Sequence, residues 1–63
     1  MLTPAEAATN MLKSYSSYKV AREMAMFHQM DHWEDRATTG SFGWNYWGSV
    51  RIEIDRLIEE RKQ

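Results

Sequence analysis

Trp47, Val50, Ile54, Leu57 and Ile58 fall on one side of a helix with 3.6 residues per turn. The first four also keep the 3-4-3 spacing of a coiled-coil seam. Arg51, Asp55, Glu59 and Lys62 occupy the opposite side. A short helix with such a stripe gains most of its stability from an element that covers it. The stretch from Trp44 to Gln63 therefore demands at least one further helix elsewhere in the chain.

The rest of the sequence supplies it. Thr3-Pro4-Ala5-Glu6 reads as a helix start, with Thr3 as the cap, Pro4 in the first helical position and Glu6 completing a capping box. Leu2 stands where a hydrophobic staple would hold the entry. No Gly or Pro then appears until Gly40. This predicts one long helix from about residue 4 to about residue 37, roughly 50 Å at 1.5 Å per residue, with a possible kink at Ser14, Ser16 and Ser17. Thr38 to Gly43 is the one clear break, with Gly40 as a helix stop and Ser41 as the next cap. A connection this short favours an antiparallel helical hairpin. Gly48 lies inside the second helix at a cost of about 1 kcal/mol relative to Ala, which points to a close approach there.

The expected fold is all-α, a single hairpin domain over residues 1–63 that self-associates into a homo-oligomeric helical bundle. Three features motivate the association. A chain of 63 residues buries little core, and with no cysteine it has no disulfide to compensate. Ala8, Met11, Leu12, Tyr15, Met26, Met30 and Trp33 lie along one side of the long helix, and Val20, Met24 and Phe27 along another, with Ala21 and Ala25 between. The first-helix segment 4–18 would overhang the hairpin and need cover from another subunit. Three Trp, three Tyr, two Phe and five Met also exceed what so short a chain can bury, and these residue types favour interface centres.

Three groups of residues are candidates for function. Trp44 and Tyr46 flank the seam and, with Asp31, Glu34 and Asp35 at the same end, form the expected partner-binding surface. Tyr15, Tyr18, Lys19 and Arg22 share one side of the long helix and are a candidate pocket for a nucleotide-like anion between subunits, although packing with amphipathic stems is favoured. His28 and His32 are four apart and are weak metal candidates, since no third ligand is evident and the Glu of a metalloprotease helix is missing. Trp33 and Trp44 are alternatively expected to pack together across the turn.

Several classes are disfavoured. There is no nucleophile paired with a base, no Gly-rich phosphate loop and no cysteine, so an enzyme is not expected and no cofactor is called for. Net charge is −1, too small for a nucleic-acid partner to be expected. No apolar run reaches membrane-spanning length, no signal peptide is recognised, and neither helix has a basic face for a membrane surface. A cytoplasmic location is expected. The leading expectation is a small non-enzymatic interaction module of bacterial or phage type, acting as inhibitor, adaptor or regulator of a larger protein. A ligand-sequestering oligomer and a metal-bridged assembly are the alternatives.

Overall fold

The computed structural model describes residues 2–37 and 42–61, and all of its regular structure is helical. Helix α1 spans Pro4–Ser14, α2 spans Tyr18–Met30 and α3 spans Phe42–Arg61, with a 3-10 turn at Trp33–Asp35 after α2. The described residues thus form three α-helices where the sequence suggests two. The expected Gly40 stop and Ser41 cap lie outside the described residues, as does Lys62.

The start of α1 is as read. Glu6 N donates to Thr3 Oγ1 at 3.2 Å and Thr3 N donates to Glu6 Oε1 at 3.0 Å, which closes the capping box. The Thr3 backbone bond, then its hydroxyl, holds the Glu6 carboxyl below its ordinary value.

The single long helix is not formed. It stops at Ser14, and Tyr15 and Ser17 are extended, with φ/ψ of −100°/150° and −147°/157°. Ser17 then caps α2 by accepting from Val20 N at 3.3 Å. Serines compete for backbone hydrogen bonds and favour caps over helix interiors. A run of them here ends one helix and begins the next instead of kinking a continuous one. The consequence is large. α1 turns back onto α3, so segment 4–18 does not overhang and Ala7 and Ala8 are buried.

α3 is the common wall against which both other helices pack, and α1 and α2 meet each other far less. Val50 and Ile54 are fully buried, with Trp47 and Leu57 packed at the edges. Each fully buried aliphatic side chain of this kind contributes roughly 1.5–3 kcal/mol. Arg22 opposes Asp55, Gln29 opposes Arg51, and His32 opposes Gly43, so α2 and α3 run in opposite directions.

The buried face of α2 is also not the one expected. Ala21 and Ala25, placed between stripes, are fully buried against α3, with Gln29 beside them. Small side chains let the two backbones come close. Val20 and Phe27 from one of the two apolar sides are exposed, as are Met30 and Trp33 from the other. On α3, Arg51 lies opposite the apolar stripe by helical spacing, yet it is half-buried and turned toward α2.

Candidate functional site

The densest group of interactions lies where α2 ends and α3 begins. Gln29 is 7% exposed and ties the two helices together. Its amide nitrogen donates to the Trp44 carbonyl at 3.3 Å, and its amide oxygen accepts from Arg51 Nη1 at 2.7 Å. Gly48 makes room for it, since a Cβ there would sit 2.7 Å from the Gln29 nitrogen. The close approach at Gly48 is therefore by a side-chain amide. Arg51 Nε is buried and has no hydrogen-bond partner among the described residues. An open groove of about 570 Å³ runs beside this network, bordered by Trp44, Asn45, Ser49 and Ile52.

The two histidines face α3, but as packing groups. His28 stacks on Trp47 with centroids 4.3 Å apart and planes at 17°. His32 follows α2, lies over Gly43, where a Cβ would run into its ring, and has Nδ1 4.0 Å from Asp35 Oδ2. Among the described residues no three His, Asp or Glu side chains converge as metal ligands would.

Tyr15, Tyr18, Lys19 and Arg22 do not share a helical side, because the break at Tyr15–Ser17 divides them. Tyr15 packs on the core, Tyr18 and Lys19 are exposed, and Arg22 Nε is 3.2 Å from Asp55 Oδ1.

Trp44 and Tyr46 are engaged within the fold. Trp44 meets Trp33 edge-on, with centroids 5.7 Å apart and planes at 69°, so the pairing of the two tryptophans is as expected. Tyr46 lies between Phe42 and Trp47, at 5.2 and 5.3 Å, and its hydroxyl donates to the Leu2 carbonyl at 2.8 Å. It links α3 to the start of α1 and borders an apolar groove of about 400 Å³ with Leu2, Met11 and Phe42. Tyr46, expected beside the seam as part of the partner-binding surface, is thus packed against the core instead.

The exposed material at this end is different. Phe27 is 55% exposed, Met30 46% and Trp33 46%. They are spaced i, i+3, i+6 along the end of α2 and into the 3-10 turn; Phe27 and Met30 lie on the side of α2 opposite the buried alanines, and Trp33 extends this apolar ridge while its edge meets Trp44 of α3. Asp31, Glu34 and Asp35 are all exposed around it. Arg36 lies on the indole of Trp33, with Cζ 3.4 Å from the ring centroid, and Nη1 donates to the Trp33 carbonyl at 2.8 Å. The ridge was not singled out as a site from the sequence. Its signal there was that Met30 and Trp33 stand on one apolar side of the helix and Phe27 on the other.

No protein-family model, curated protein or solved structure matches the chain. No helix among the described residues is long and apolar enough to cross a membrane.

Proposed function

We propose that the protein is a small non-enzymatic interaction module, a cytoplasmic inhibitor, adaptor or regulator of bacterial or phage type that binds a larger protein. One observation carries the reading. Phe27 and Met30 on α2 and Trp33 in the turn just beyond it are exposed, while Ala21, Ala25 and Gln29 on the other side of α2 are buried. Large apolar side chains gathered at one place on a small surface mark interaction sites more often than scattered ones do, and aromatics and Met favour interface centres. The anchors in this reading are Phe27, Met30 and Trp33, with Trp44 as support, and Asp31, Glu34 and Asp35 act as a charged rim. Affinity capture from the host lysate tests it. Phe27→Ala with Met30→Ala should weaken capture of the principal partner about thirtyfold or more and leave helical circular dichroism intact. Unchanged capture overturns the site.

Self-association into a homo-oligomeric bundle is the second reading. It is favoured by exposed Val20 and Phe27 on the α2 stripe that faces away from α3, with Met24 half-buried between them. Val20→Asp should then reduce the solution mass without disturbing the ridge. Light scattering that gives 7.5 kDa for the fully helical wild type removes this reading.

A further inference from the structure

We propose that the ridge receives an arginine-bearing amphipathic segment of the partner, and that Arg36 occupies the position over Trp33 that the partner's guanidinium takes. The proposal rests on the protein-binding reading and specifies the partner's chemistry. Charge supplies the first argument. Residues 23–36 carry four carboxylates, Glu23, Asp31, Glu34 and Asp35, against the single guanidinium of Arg36, in a chain whose net charge is only −1. Glu23, Asp31 and Glu34 have no cationic partner within ion-pair distance among the described residues. Such a field attracts cations and repels an anionic lipid surface or nucleic acid.

Trp33 supplies the second argument. Its ring already holds a guanidinium at stacking distance, and its edge-on contact with Trp44 fixes the ring plane. A guanidinium is planar, weakly hydrated and suited to stacking, whereas an ammonium is compact and strongly hydrated. Arg36 itself is exposed and is held by one hydrogen bond to a neighbouring carbonyl, without a carboxylate. Exposed cation–π contacts change an equilibrium by only about two- to fivefold, so a second guanidinium can displace this one. Phe27 and Met30, next along the ridge, then face the apolar side of the incoming segment.

The test uses the full chain and three synthetic amphipathic peptides with leucine on one face and arginine, lysine or glutamate on the other, titrated by calorimetry. The arginine peptide should bind, the lysine peptide several-fold more weakly, and the glutamate peptide not at all. Arg36→Ala should strengthen arginine-peptide binding about two- to fivefold more in the wild-type background than in Trp33→Leu. That difference separates vacated ring area from the mere loss of a like charge. Equal affinity for the arginine and lysine peptides overturns the stacked guanidinium, and this comparison needs no variant to fold. If the arginine peptide fails to bind while Phe27→Ala with Met30→Ala still abolishes capture of a protein partner, the cationic segment is wrong and the protein-binding reading stands. If neither holds, both fall.

Discussion

Helix α3 meets its two neighbours by different means. Toward α1 the contact is apolar, built from Ala7, Ala8, Met11 and Leu12 with Tyr46 and Leu57. Its cross-helix hydrogen bond is at the edge, from Tyr46 to the Leu2 carbonyl. Toward α2 the contact combines two buried alanines with Gln29, Arg51, the Trp44 carbonyl and the Arg22–Asp55 pair. An apolar stripe supplies most of the free energy but distinguishes poorly between neighbouring registers. A buried amide with two directed partners and a glycine cut to its shape allows one position. The α1 side is thus the simpler source of stability, and the α2 side sets where the helices sit, which in turn places Trp33, Trp44 and the exposed ridge.

The largest effect should come from the residue both sides share. Ile54 is fully buried in the central cluster. Ile54→Asp places an unpaired carboxylate there at a cost of several kcal/mol, against a total of about 3–5 kcal/mol for a core of this size. The variant should show neither a cooperative melt nor native helicity by circular dichroism. A melt close to wild type would remove α3 from the centre of the fold.

A smaller but more diagnostic effect is expected at Gln29. Gln29→Leu takes the acceptor from Arg51 and one donor from the Trp44 carbonyl, leaving the half-buried Arg51 guanidinium without its partner. We expect a loss of about 1–3 kcal/mol by chemical denaturation. Adding Arg51→Met removes the stranded cation and should restore most of that loss, since apolar replacement of a whole buried polar pair is often close to neutral. If the single variant alone is neutral, the α2 side is no different in kind from the α1 side.

These two sides were unequally legible in the sequence. The α3 stripe was readable because Val50, Ile54 and Leu57 recur at helical spacing, and the capping box because Thr3 and Glu6 are three apart. Gln29 and Arg51 were hidden, since a polar residue that is buried with its partner resembles a solvated one until the partner is known. Ala21 and Ala25 were passed over for the same reason that they work, having too little side chain to register as a stripe. The break at Tyr15–Ser17 was visible only as weak helix formers, and tertiary contact between α1 and α3 made it a turn. The candidate site was half legible. Asp31, Glu34, Asp35 and Trp44 were marked, but Phe27, Met30 and Trp33 could be recognised as exposed only once the alanine face of α2 was known to be the buried one.

On the α1 side, Tyr46→Phe tests whether that contact is apolar in substance. The ring remains between Phe42 and Trp47 and only the bond to the Leu2 carbonyl is lost. Because that bond is exposed, the cost should be about 0.5–1 kcal/mol, read as a small fall in the denaturation midpoint with an unchanged slope. A loss as large as that of Gln29→Leu would mean that a directed polar tie also governs the α1 contact.

The smallest effect belongs to the outer end of the α2 contact. Arg22 Nε and Asp55 Oδ1 are 3.2 Å apart, and both side chains are about half exposed, at 52% and 53%. Water and salt screen such a pair, so Asp55→Asn should cost only about 0.2–0.5 kcal/mol at low ionic strength. The difference from wild type should shrink further as salt is raised past roughly 0.5 M, where the screening length falls to a few ångströms. The Gln29→Leu deficit should persist across the same range, because a buried amide and a half-buried guanidinium exchange a hydrogen bond more than long-range charge. Measuring both variants against salt therefore separates the two polar elements of one contact. If the Asp55→Asn deficit is as large as that at Gln29 and does not respond to salt, the register of α2 on α3 is held along its whole length by its polar groups. A deficit that vanishes in salt places that control at Gln29, at the end of α2 and just before the 3-10 turn that carries Trp33.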